Sequence, residues 1–279
     1  MPDPRRAGGH QKGEAHVTRW AYMIPAMADP NQGLLDSIRG HPTNALPDVV
    51  PVWAWFRPWD GHFAVDWSLL ARLRMEGMEP ILYAQIDVDP EDILDGKYDD
   101  ALRLMAARSR GCYIRIFHEP NGGGTFPWQR WPVSTMILVE RHVATLFHEE
   151  GAKYLYCVSH RGKANDDMLD RYPGSEYVDM VGFDEFRRSD TERLPSQQWA
   201  WAIQRLASTG KPVAVCETGA EASTTKRGRF MADLGNVQGL WYCGIFDYRI
   251  EYQKQDGTKV VDDWRWNAPM VREWDALPR

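Results

Sequence analysis

From His16 onward, eight short runs rich in Val, Ile, Tyr and Trp alternate with helix-like segments. This alternation constrains the fold more than any other property of the chain. The runs cover residues 16–24, 49–56, 79–87, 112–119, 153–160, 177–186, 211–219 and 239–248. Between the second and third, Leu69, Leu70, Leu73 and Met75 share one broad apolar face, and the pattern stops at Gly77, a C-terminal cap. Segments 90–111, 133–151, 195–210 and 224–237 have the same 3.6-residue habit. Strands alternating with helices imply a parallel sheet, and right-handed crossovers leave two architectures, the doubly wound sheet and the closed barrel. A doubly wound nucleotide binder carries a Gly-rich phosphate turn after its first strand. Here that position reads PAMADPNQG, and neither GxGxxG nor GxxxxGK[ST] occurs. Eight β/α units in about 250 residues match a TIM barrel. The expected fold is therefore α/β, a (β/α)8 barrel, with residues 16–279 as one domain behind a flexible N-terminal extension, residues 1–15.

Charge and hydropathy exclude several partners. The net charge is −6 and the 33 basic residues are scattered, unlike the basic stripe of a nucleic-acid binder. No window holds the 18 or so apolar residues of a membrane span, and the mean hydropathy is −0.51. The N-terminus lacks the apolar stretch of a secretion signal, which fits a cytosolic chain or one whose leader is missing. Cys112, Cys157, Cys216 and Cys243 lie far apart inside apolar runs, so they read as reduced core thiols, and spacing points to no metal site. The 13 Trp, 11 Tyr and 9 Phe offer many flat apolar faces with a polar edge, which suit a sugar ligand. A monomer is expected.

In a barrel the active site lies at the C-terminal ends of the strands. Two of those ends carry a glutamate in an apolar context, Glu119 on the fourth run and Glu217 on the seventh. These strands face one another across the barrel mouth, where a retaining glycosidase holds two carboxyl groups, one an acid/base and one a nucleophile. Such chemistry needs unlike pKa values. Alternation along the fourth run turns Arg115 to the same face as Glu119, where it helps keep the site's carboxylates ionised.

The stretch YIRIFHEPNGGGTFPWQRW resembles the strand 4 motif of glycoside hydrolase family 26, the mannanase family of a retaining barrel clan. Its matching positions are Arg115, His118, Glu119, Asn121 with Gly122, and Phe126 with Trp128. Most of the clan has Asn before the acid/base, so His118 points to this family in particular. RYPGSEYVDMVGFDEF, with Asp184, looks like the family's strand 6 approach, and KPVAVCETG is similar to the strand 7 segment that holds the nucleophile. The likeness runs over roughly residues 16–250. It implies a retaining β-glycoside hydrolase with Glu119 as acid/base and Glu217 as nucleophile, and no cofactor. The implied substrate is a β-linked polysaccharide or oligosaccharide, β-mannan first, then mixed-linkage β-glucan or xylan. Two positions depart from the pattern. Phe186 stands where the family places a Tyr whose hydroxyl bonds the nucleophile, and the Trp floor at the end of strand 8 has no clear equivalent among Trp241, Phe246 and Tyr248.

Trp59, beyond the second run, and Trp128 and Trp131, in the loop after Glu119, are candidate sugar platforms, whereas Trp53 and Trp55 read as core. His160 and Arg161 stand within reach of a sugar hydroxyl. Two rival readings remain: a non-catalytic carbohydrate-binding barrel, and a metal-assisted hydrolase built on Asp87, Asp89, His118 and Asp184. Polysaccharides lie outside cells, so function favours secretion.

Overall fold

The computed structural model describes residues 19–23, 47–57, 61–160, 167–189, 193–221, 226–246, 249–253, 259–263 and 268–277. In chain order the strands are β1 (Arg19–Met23), β2 (Val49–Arg57), β3 (His62–Ala64), β4 (Glu79–Gln85), β5 (Tyr113–Arg115), β6 (Lys153–Ser159), β7 (Met180–Arg187), β8 (Val213–Ala220), β9 (Tyr242–Phe246), β10 (Arg249–Gln253) and β11 (Lys259–Asp263). The helices are α1 (Trp67–Met75), α2 (Pro90–Leu94), α3 (Asp99–Arg108), α4 (Val133–Glu149), α5 (Pro195–Gln198), α6 (Ala200–Ala207), α7 (Arg227–Leu234) and α8 (Ala268–Asp275). Among the described residues no helix is long and apolar enough to cross a membrane.

One sheet runs β1-β9-β8-β7-β6-β5-β4-β2-β3. Its strands pair in parallel from β1 to β2, and β3 is an antiparallel addition on β2. The free edge of β1 meets the start of β2 through Asp48, whose N–H donates to the Trp20 carbonyl at 2.8 Å while its Oδ2 accepts from the Trp20 N–H at 2.9 Å. With this junction the sheet forms the (β/α)8 barrel expected from the alternation. Each of the eight parallel strands falls within or beside a foreseen run.

Alternation sorts the strand residues into two cores. Outward residues such as Leu82, Ile114, Tyr156, Val181 and Val215 pack against helical Leu69, Met105, Val139, Phe147 and Leu206. Inward residues, Tyr83, Tyr113, Leu155, Cys157, Met180, Cys216 and Tyr242 among them, fill the barrel itself. Gly77, at φ +81, follows the C-cap Glu76 of α1 as expected, because only glycine reaches that conformation without strain.

Three features differ from the sequence expectation. Segment 90–111 is two helices, parted at Gly96 with φ +79, and segment 195–210 is parted at Trp199. The hairpins β2–β3 and β10–β11 were not foreseen, since they use short polar or mixed runs without a strong period. The fourth run is strand only as far as Arg115, so alternation does not set the direction of Glu119.

Asp48→Ala removes a part-buried acceptor at the barrel seam. It is expected to lower the unfolding free energy by about 1–3 kcal/mol, and Asp48→Asn to recover part of the loss, as read from urea denaturation midpoints.

Candidate active site

An irregularity in β8 makes the site. On the β7 side Phe183 pairs with Val215 and Asp184 with Glu217, leaving Cys216 without a partner. On the β9 side Val215 pairs with Cys243 and Thr218 with Ile245, so two residues of β8 again face one. This is a β-bulge, which bends a strand and re-aims its side chains. Here consecutive residues both serve the barrel interior: Cys216 joins the inner core, and Glu217 reaches Arg115.

Arg115 is the centre of the cluster, at 1% exposure. One terminal nitrogen donates to both carboxylate oxygens of Asp184 at 3.1 and 3.0 Å, and the other donates to Glu217. The guanidinium lies 3.6 Å from the centroid of the Tyr83 ring. That ring is fixed in turn, because the Tyr83 hydroxyl bonds the Cys216 carbonyl at 2.7 Å and the Tyr242 hydroxyl at 2.6 Å. A buried cation is tolerated only when paired, and two carboxylates do this here. Burial pushes Asp184 well above the usual carboxylate range, against the opposing pull of Arg115.

Glu119 arrives by another route. It is the one non-glycine residue with positive φ among the described residues, at +51°, a conformation that costs free energy and persists only where its surroundings fix it. Its N–H donates to the Cys157 carbonyl at 2.9 Å. Its carbonyl accepts from the Gly122 N–H at 2.8 Å and from Gln129 Nε2 at 2.9 Å. Gln129 Oε1 also takes the Gly124 and Phe126 N–H groups at 2.8 and 3.2 Å. Gly122 must stay small, since a Cβ there would sit 2.3 Å from Gln129 Nε2. Asn121 locks the same loop to β6, exchanging bonds of 2.7 and 2.9 Å with the Ser159 main chain. The pKa of Glu119 is raised to about 7, first by burial and then by the Glu217 carboxylate.

Burial, then Arg115, holds His118 well below the usual imidazole range, so its ring is neutral at neutral pH. The ring meets Phe126 edge-on at 4.3 Å and Trp128 at 5.2 Å. His160 Nδ1 stands 3.1 Å from Glu185 Oε2, and Gln198 Nε2 donates to Glu185 Oε1 at 2.9 Å.

The structure thus brings Arg115, His118, Glu119, Asp184 and Glu217 together at one end of the barrel. It assigns other candidates differently. Trp128 is 1% exposed and donates Nε1 to the His118 carbonyl at 2.8 Å, so it supports the loop and presents no face to a ligand. Asn121 is engaged with Ser159 and buried. Trp241 precedes β9, and its N–H bonds the Val213 carbonyl at the start of β8, so it lies at the barrel end opposite Glu217. Its ring packs on Tyr113 and under Arg19. Phe186 is half-buried against the inner core. Trp59, Arg161 and Tyr248 lie outside the described residues, as does the side chain of Phe246. Asp87 and Asp89 do not join His118 and Asp184 in any metal-binding group among the described residues, and Asp89 caps α2 through the Glu91 N–H.

Sequence reasoning missed Gln129, Ser159, Tyr83 and Tyr242, which act through contacts distant in sequence. It also took Trp55 for core. That ring is half-buried near the C-terminal end of β2, stacks on Trp53 at 6.1 Å and bonds Gln85 at 3.2 Å. Its position at a barrel strand end was the available signal.

Two carboxyl groups at the C-terminal end of a (β/α)8 barrel are the arrangement that glycoside hydrolases use, and the family of the chain follows from comparison with known proteins. The family model for glycosyl hydrolase family 26 matches residues 101–271, more than half of the chain, and the chain belongs to that family. Endoglucanase H of Acetivibrio thermocellus is 26% identical over 244 residues, 77% of this chain, which spans only 24% of that relative's length. Among solved structures, a family 26 protein from a Muricauda species superposes with a TM-score of 0.66 at 14% identity, covering 94% of this chain and 85% of that one. A family 26 β-mannanase from Bacteroides ovatus gives 0.63 at 15% identity, covering 94% and 88%. A β-mannanase from a symbiotic protist of the termite Reticulitermes speratus, solved with a gluco-manno-oligosaccharide, gives 0.58 at 14%, covering 94% and 86%.

Between the ordinary value of 4.5 and about 7, folded Glu119 holds a proton that the unfolded chain has released, so stability falls as pH rises through this window. Glu119→Gln is therefore expected to stabilise the protein by on the order of 3 kcal/mol above pH 7 and by nothing below about pH 4.5, as measured by denaturant unfolding at both pH values. Gln129→Leu leaves the Gly124 and Phe126 N–H groups unmatched, while the Glu119 carbonyl keeps its bond from the Gly122 N–H, and is expected to cost about 1–3 kcal/mol per group left buried.

Proposed function

We propose that the protein is a retaining β-glycoside hydrolase in which Glu119 is the acid/base and Glu217 the nucleophile. The observation that carries this reading is the contrast between the two carboxyl groups. Glu217 is ion-paired with the buried guanidinium of Arg115, which supplies the counter-charge for an anionic nucleophile. Glu119 is raised to about 7 and holds a proton ready to give. One fold thereby keeps an acid and a base side by side at neutral pH.

In the first step the Glu217 carboxylate attacks the anomeric carbon while Glu119 gives its proton to the leaving glycosidic oxygen. In the second, Glu119 as carboxylate takes a proton from water, and the resulting oxygen nucleophile displaces Glu217 from the anomeric carbon with retained configuration. Neutral His118 contributes a hydrogen bond beside the reacting sugar, and the stacked pair Trp53 and Trp55 offers an apolar surface for a sugar ring. Where the family's Tyr hydroxyl is lacking at Phe186, Arg115 is the side-chain donor to Glu217.

β-Mannan is the first candidate substrate, supported by the β-mannanases among the structural neighbours, followed by mixed-linkage β-glucan, supported by Endoglucanase H, and then xylan. Such polymers place the working enzyme outside the cell.

Reducing-sugar release from these three glycans identifies the substrate, and nuclear magnetic resonance of the first product gives its anomeric form. A β product is expected, and an α product would overturn the double displacement. Glu217→Ala is expected to lower kcat by several orders of magnitude, and Glu119→Ala by about 10²–10⁴-fold. The wild-type kcat/KM is expected to fall as pH rises through about 7, where free Glu119 loses its proton. Sugar binding without turnover, unchanged in Glu217→Ala, would mark a binding barrel instead.

A further inference from the structure

Directly beneath the carboxyl cluster, two thiols and a carboxylate converge. Cys157 Sγ, Cys216 Sγ and an oxygen of Asp184 all lie within 4.8 Å of one another, and all three residues are buried. The Cys157 thiol already donates to Asp184 Oδ1 at 3.3 Å. Their convergence has two structural causes. Alternation along β8 from inward Ala214 turns Cys216 inward, and the bulge at this point brings the next residue, Glu217, to the same interior. Gly182, which pairs with Cys157, lies between the two cysteine strands, and a Cβ there would stand 2.4 Å from Cys216 Sγ. A glycine in this position is what lets the Cys216 side chain lie across β7 towards Cys157.

We propose that Cys157, Cys216 and Asp184 form a binding site for a thiophilic divalent cation, of the zinc or cadmium type. A tetrahedral centre with metal–sulfur bonds of about 2.3 Å and metal–oxygen bonds of about 2.1 Å sets its donor atoms roughly 3.5–3.8 Å apart. The three donors therefore need to close by about an ångström at most. Two thiolates and a carboxylate select zinc or cadmium over magnesium or calcium, which prefer oxygen donors alone. The charge balance is favourable as well. The incoming dication displaces the two thiol protons, forming two metal–sulfur bonds and releasing two protons to solvent, so the net charge of the buried cluster does not change. Arg115 thus faces no added positive charge. It does face a competitor, because the cation draws on the same Asp184 carboxylate that the guanidinium holds. Occupation of the site loosens Arg115 from Asp184 and, through Arg115, alters the setting of Glu217.

The test titrates the full chain with Cd2+ and reads metal binding, so it stands or falls independently of glycosidase activity. Expected are a thiolate-to-cadmium charge-transfer band that saturates at one ion per chain, two protons released per ion, a raised melting temperature, and no band with Mg2+ or Ca2+. Cys112→Ala with Cys243→Ala keeps all of these. Cys157→Ser, which preserves size, weakens binding by on the order of 100-fold or more, and Cys157→Ala with Cys216→Ala abolishes it, with far-ultraviolet circular dichroism confirming that each variant is folded. The same band in the folded Cys157→Ala, Cys216→Ala protein, or none in the wild type, overturns the proposal. So does a band whose growth leaves the melting temperature unchanged or lowered, since that metal is bound by unfolded chains.

Discussion

The pairing of one buried guanidinium with two carboxylates is the constraint from which the site follows. Arg115 occupies the barrel interior at a level that a hydrophobic side chain would fill more cheaply. Its presence there requires anionic partners within the barrel, and the paired strands β7 and β8 supply them in register through Asp184 and Glu217. It also requires a flat neutral surface below, which Tyr83 provides. Remove the cation and two carboxyl groups are left facing each other in a medium that cannot support both charges. The barrel wall and the reactive groups are thus one electrostatic unit.

Glu119 belongs to that unit by proximity and not by strand geometry. Its backbone is held in a left-handed turn by bonds from Gly122 and Gln129 to its carbonyl and from its own N–H to the Cys157 carbonyl, while Asn121 and Trp128 fasten the loop on either side. Gln129, Asn121 and Trp128 bring buried polar atoms to the loop, and each satisfies main-chain groups that would otherwise be left unmatched. The loop is therefore tied down along its length, which is what the acid/base role proposed for Glu119 demands.

The barrel was legible in the sequence because its signal is repeated: eight apolar β-rich runs, each recognisable alone, separated by amphipathic segments. The family resemblance was legible for a similar reason, since Arg115, His118, Glu119 and Asn121 lie within one short stretch. What the sequence hid depends on contacts between distant segments. Trp128 read as a sugar platform because a tryptophan in a Gly-rich loop usually finds little to cover it, yet this loop folds back under His118 and buries the ring. Trp241 was weighed against the family's Trp floor, but β9 begins only at Tyr242, which puts Trp241 at the far end of the barrel. The register of β8 was hidden too, since a bulge leaves no mark in hydrophobic alternation when both residues concerned point inward.

That extra residue in β8 has a meaning for the lineage of such a site. Replacing a side chain leaves the ladder as it stands, but deleting one codon at Cys216 or Glu217 would restore regular pairing with β7 and β9. The inner face would then have room for only one of the two functions, while Thr218 and the residues after it would keep the partners they have. An inert barrel and a reactive one are, at this position, a single peptide unit apart, and the distinction is written in the length of a strand as much as in its letters.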